Sequence, residues 1–235
     1  MGFWQVTMKR STQLSKSYVI IGAFLTVYGV VLSNLMTIIP SVIPSDVTPA
    51  PIDLANSFPL LSIALLSMAS VLFALPVIML FVYDKNNGVL EYLLSTGLDQ
   101  LDIFKGYVKA SLVLATYLLV FAVILNTVVG VLLGTSLTLL ASIGILTFAI
   151  GISEVFLVSV CMVAFSSLQR TPMGANQPLG VIIGVIPMFP ALILPLAFPA
   201  YAILVDLSIA AITLLASLSL LLSTGRLIRR EKLLP

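Results

Sequence analysis

Apolar residues along this chain come in long runs separated by short polar or proline-rich breaks, and the run lengths set the first expectation. A transmembrane helix needs about 20 predominantly apolar residues. Runs over 18–39, 60–83, 106–133, 137–165, 179–194 and 202–223 approach or exceed that length, which predicts an all-α integral membrane protein with six transmembrane helices. Pro40, Pro44, Pro49, Pro51 and Pro59 separate the first two runs, because proline lacks a backbone donor and clashes with the preceding turn. The only charges in that break are Asp46 and Asp53. Pro76 predicts a kink in the second helix, and Gly134, Thr135 and Ser136 give a tight connection that makes helices three and four an antiparallel hairpin. Lys9, Arg10 and Lys16 before an apolar run resemble the start of a secretory signal. The run is longer than a signal's hydrophobic region and has no A-x-A site, so it reads as a retained first helix.

Composition agrees with this pattern. The chain is 60% hydrophobic and 9% charged, against roughly 25% charged in an ordinary soluble domain, so no soluble surface can be built from it. A formal net charge of +2 and charges set beside the apolar runs argue against a nucleic-acid partner. Cys161 is the single cysteine, and histidine is absent, which excludes His metal sites, His-dependent triads and His proton relays.

Charge also predicts direction, since Lys and Arg are retained on the cytoplasmic side. With six helices, Lys9, Arg10, Lys16, Lys85, Lys105, Lys109, Arg170, Arg226, Arg229, Arg230 and Lys232 all fall on one side. Both termini are then cytoplasmic, in a multi-pass protein of the cell membrane. Residues 1–17, with Phe3, Trp4 and basic neighbours, read as an interfacial segment, and 226–235 as a cytoplasmic tail.

The cytoplasmic segment 84–105 carries the most information. Leu90, Leu93 and Leu94 share one helical face, Gly97 suits a helix C-terminus, and Asp99 with Asp102 can cap a new helix. By spacing alone this is a short amphipathic helix, a turn and a restart, which fits an interfacial helix that merely joins two spans.

The order Asp84, Lys85, Gly88, Leu90, Glu91, Leu93, Leu94 resembles the membrane subunit of ABC-2 type exporters. Gly97 stands where that family usually has proline, Lys105-Gly106 reverses its Gly-Lys pair, and Asn86-Asn87 replaces a more charged spacer. The resemblance implies that the loop holds a coupling helix, with Asn87 to Thr96 contacting a cytosolic ABC ATPase and Glu91 as a salt-bridge partner. It also implies a second permease copy or related chain, and ATP with Mg on the partner ATPase. The chain has no G-x-x-x-x-G-K-[ST] motif of its own, so ATP hydrolysis is expected from another polypeptide or a domain brought in trans, and the chain is expected to hold no cofactor and to be a transport subunit rather than an enzyme.

Pro187, Pro190, Pro195 and Pro199 interrupt the chain before the last run. Broken backbone at membrane depth is tolerated where protein or water satisfies it, as in a kinked span; the resemblance implies re-entrant helices forming an external lid. Glu154 falls near the middle of the fourth run, where a carboxylate is costly and must face protein or water. It is either a polar contact in the substrate path, for substrate or a coupling cation, or a protonated carboxyl bonded to Ser or Thr on a neighbouring helix. Asp206 reads as a solvated or lid-capping residue near the external end. Gly130 with Gly134, and Gly180 with Gly184, have the spacing that lets helices approach closely. An intramembrane enzyme lacks its motifs here, with no H-E-x-x-H and no G-x-G-D. The alternative to the permease is a stand-alone secondary transporter or membrane scaffold protein, in either case contacting membrane lipids.

Overall fold

The computed structural model describes residues 2–14, 16–42, 54–165 and 201–227, with positions 190, 193–194 and 197–198 between them. These residues form α1 (Phe3–Leu14), α2 (Lys16–Val42), α3 (Leu54–Asn86), α4 (Val89–Ser95), α5 (Gln100–Leu132), α6 (Leu137–Phe165) and α7 (Ala202–Leu227). There is no strand among the described residues. Four stretches are long and apolar enough to cross a membrane: Ser62–Asn86, Gln100–Leu132, Leu137–Val160 and Ala202–Leu220. Within α2 a shorter apolar stretch runs from Val19 to Val31.

Side-chain register gives the helix directions. Gly22 meets Phe73 and Gly29 meets Leu65, so α2 and α3 are antiparallel. Gly144 meets Val123, Gly130 meets Leu140, and the Ser111 and Ser159 hydroxyls lie 3.1 Å apart, so α5 and α6 are antiparallel as well. Between α6 and α7 the order is the same: Ala202 and Ile209 cluster with Ile143, Leu146 and Ile150, and further along Ser217 donates to the Ser153 carbonyl at 3.0 Å. Thus α3, α6 and α7 point one way, and α2 and α5 the other.

That arrangement gathers the described basic residues at one end of the bundle. Lys9 and Arg10 on α1, Lys16 at the start of α2, Lys85 at the end of α3, Lys105 and Lys109 early in α5 and Arg226 at the end of α7 all lie there. The opposite end carries the α5–α6 turn, Leu133 to Ser136. The 33 residues of α5 span about 50 Å at 1.5 Å per residue, well over the ~30 Å hydrocarbon thickness. Its first turns, and the last turns of α3 beside them, therefore have length to spare beyond an apolar layer.

At the centre is α3, packed on α2, α5 and α6. Ala64, Ser67, Ala69, Ser70 and Ala74 are buried along it, and such small residues let helix backbones approach closely. Ile20, Phe24, Tyr117, Phe121 and Ile124 leave large apolar side chains exposed on α2 and α5, a surface compatible with lipid rather than water.

Some expectations change. Pro40 lies in the last turn of α2, and α3 begins before Pro59 and continues through it and Pro76, since a proline removes one helical hydrogen bond without ending every helix it enters. Gly134 is in the α5–α6 turn with φ 80°, so Gly130 and Gly134 form no helix stripe; Gly130 packs against Leu140 within the hairpin. Residues 43–53, 166–189 and 228–235 lie outside the described residues, and with them Arg170, Gly180, Gly184, Pro187 and the basic tail from Arg229; so do Pro195 and Pro199.

Candidate functional site

The turn from α3 to α5 is built by two glycines. Gly88 (φ 73°) follows α3 and precedes α4, and Gly97 (φ 89°) ends α4, its N–H donating to the Leu94 carbonyl at 3.2 Å. Both backbones lie in the left-handed region that glycine enters without steric cost. Asp99 is the residue preceding α5, with extended backbone (φ −72°, ψ 144°), but its side chain makes no capping hydrogen bond. The expected cap by Asp99 is therefore one of position only; its carbonyl instead accepts the Asp102 N–H at 3.1 Å.

Leu90 anchors α4. It is fully buried among Phe81, Ile103, Phe104 and Tyr107, with Leu93 and Leu94 packed at the edge of the same cluster. The outward surface is Tyr92, 68% exposed, with Ser95, Thr96, Gly97 and Leu98 exposed beyond it and Glu91 half-buried beside it. The sequence-selected residues thus separate into anchors and surface. Asp84, Lys85 and Leu90 are buried, Gly88 makes the turn, and Glu91, Leu93 and Leu94 are partly accessible.

Asp84 is the hub of a buried network. Arg10 donates from Nη2 to Oδ1 at 2.9 Å and from Nη1 to Oδ2 at 3.2 Å, and the Tyr107 hydroxyl donates to Oδ2 at 2.6 Å. Tyr107 is held edge-on by Phe3 and Phe81, with centroids 5.5 and 5.2 Å away. The Phe3 ring covers Gly106 so closely that a Cβ there would overlap it, and Lys109 Nζ sits 5.1 Å from the Trp4 ring centre. The N-terminal segment is therefore a helix docked on the ends of α3 and α5. Sequence reasoning missed Arg10 and Tyr107 and did not single out Tyr92 within the Asn87 to Thr96 segment. Phe3, Thr7, Arg10 and Ser11 share one helical face, a signal that could have placed Arg10 inward; Tyr107 carries no local signal of its partner.

The second polar feature lies within the bundle. Gly151, Glu154 and Val158 lie on the α6 face toward α3, where Ser70 packs on Gly151. Glu154 is fully buried. The Ser67 hydroxyl faces it at the edge of hydrogen-bonding reach, while neither carboxylate oxygen has a partner at hydrogen-bond geometry among the described residues. Asp206 is also fully buried and without a hydrogen-bond partner among them. It is not the solvated residue the sequence led us to expect, because the α7 face carrying Ala202, Asp206, Ile209 and Ala210 packs inward. Pro190, the described member of the four-proline segment, lines a cavity of about 520 Å³ with Leu157, Leu194, Tyr201 and Ile212. No cluster of His, Cys, Asp and Glu suited to a metal occurs among the described residues.

The chain matches no protein-family model, no curated protein and no solved structure in comparison.

Proposed function

We propose that this chain is the membrane-spanning permease subunit of an ATP-driven exporter of the ABC-2 type, coupled to a separate cytosolic ABC ATPase. The observation that carries the reading is α4: a short helix, set off by two left-handed glycines, anchored through Leu90 and presenting Glu91 and Tyr92 at the basic end of an apolar bundle. Basic ends of membrane proteins face the cytoplasm, where an ATPase can reach α4. The parallel course of α6 and α7 supports a further crossing between them, and with α2 this makes six spans with both termini inside.

In this reading ATP and Mg stay on the partner, and no residue here is catalytic. Glu91 and Tyr92 meet the ATPase. A push on α4 passes through Leu90 into Phe81, Phe104 and Tyr107, so the ends of α3 and α5 move together, with α1 held to them by Arg10 and Asp84. A second permease copy or related chain completes the path, with Glu154 within the bundle.

Purification of the tagged full chain in mild detergent from its native membrane tests this. The expected companion is a Walker-A ATPase, lost on Glu91→Lys with Tyr92→Ala. Ion-gradient-driven transport by the chain alone in vesicles would instead establish a secondary transporter.

A further inference from the structure

Glu154 has a property that does not depend on any ATPase. Hydroxyls on its own helix and on the helices packed beside it have their protons committed to backbone carbonyls. Ser67 Oγ donates to the Ala64 carbonyl at 3.0 Å, and Ser70 Oγ to the Ser67 carbonyl at 2.7 Å. On the α6 and α7 side, Ser153 donates to Ala149 at 2.7 Å, Thr213 to Ile209 at 2.9 Å and Ser217 to Ser153 at 3.0 Å. A carbonyl cannot donate, so the direction of each bond is fixed, and what these side chains offer their surroundings is lone pairs. Thr147 has an uncommitted hydroxyl, but it is seven residues, or two turns, away along α6.

Among the described residues, no charge of the opposite sign compensates the carboxylate either. On α3 the charged residues are Asp84 and Lys85, at the basic end. On α5 they are Asp102, Lys105 and Lys109, at the same end, and the side chain packed on Gly151 from α5 is Leu119. On α7 the buried charged group is Asp206, of the same sign. A carboxylate sealed among acceptors and apolar groups requires something positive beside it.

We propose that Glu154 is a binding site for one small monovalent cation, a proton or an ion of sodium's size, with the Ser67 and Ser70 hydroxyl oxygens as its other ligands. As a proton site, the carboxyl donates to a serine lone pair. As a sodium-sized site, the carboxylate and the two hydroxyl oxygens form its protein shell. Both use the lone pairs that the Ser67 and Ser70 hydroxyls keep when their protons go to backbone carbonyls.

Infrared difference spectroscopy of the full chain in phospholipid vesicles, wild type minus Glu154→Gln, tests the site while cancelling the Asp206 contribution. In sodium-free choline buffer at neutral pH, the expected signal is the C=O band of a protonated carboxyl, absent from the variant. If added sodium leaves that band unchanged, the ligand is the proton. If sodium converts it, saturably, to the carboxylate bands, the ligand is the metal ion. Carboxylate bands at Glu154 in the sodium-free buffer would overturn the proposal. Ser67→Ala with Ser70→Ala should shift the Glu154 band, and an unshifted band removes the serines as ligands. Should Glu154→Gln fail to fold, Glu154→Asp is expected to displace the same band rather than abolish it.

Discussion

Arg10 and Asp84, 74 residues apart in the chain, close on each other through two hydrogen bonds of 3.2 and 2.9 Å, with the arginine 42% exposed and the carboxylate fully buried. The inequality of burial makes the pair asymmetric. Removing Arg10 strands a buried carboxylate with Tyr107 as its remaining donor, whereas removing the charge of Asp84 leaves an arginine that can turn to water. Arg10→Ala is therefore expected to cost about 1–3 kcal/mol, after allowance for the arginine's exposure, and Asp84→Asn less. Thermal unfolding of the purified chain, completed as a double-mutant cycle, measures both.

The contact between Phe3 and Gly106 yields a second outcome. A side chain at 106 must displace the Phe3 ring, so Gly106→Val is expected to destabilise by about 1–3 kcal/mol and to release α1. Limited proteolysis within Phe3–Leu14 reads that release directly. Shortening the ring in Phe3→Ala should relieve much of the added cost, making the double variant clearly less than additive.

Asn34 donates from Nδ2 to Asn126 Oδ1 at 3.0 Å, joining α2 to α5. Interhelical bonds in a bilayer average about 0.6 kcal/mol and reach about 1.7. Asn126→Leu is thus expected to lower stability by about 0.5–1.5 kcal/mol without altering α-helical content, as unfolding followed by circular dichroism in detergent would show.

What the chain discloses in its sequence follows the range of the interactions. The ranges of α2, α3, α5, α6 and α7 are close to the apolar runs because each run is long, and the turn at Gly134 and the short helix from Val89 to Ser95 follow from local residue chemistry. Gly97 and the leucine face of α4 are equally local. The partner of Asp84 is not: Arg10 reaches it only because α1 folds back onto α3 and α5, and no spacing encodes that return. For the same reason Asp84, at the start of the cytoplasmic segment 84–105, is buried. Asp206 looked solvated because position along a span says how deep a residue lies and not which way its face turns. Tyr92 stands out from its neighbours in the Asn87 to Thr96 segment only once the helix is docked, because a half-apolar residue in an amphipathic helix gives no sign of its exposure beforehand.

A photo-crosslinking residue at position 92 tests most directly the proposed contact of α4 with an ATPase. Tyr92 is 68% exposed, so its replacement should change stability by no more than about 0.5 kcal/mol, and loss of contact cannot be ascribed to unfolding. In native membranes the proposed contact predicts a covalent adduct with a Walker-A ATPase from position 92 and none from Ser136 at the opposite end of the bundle. Adducts with lipid alone, or equal ATPase adducts from both positions, would contradict it.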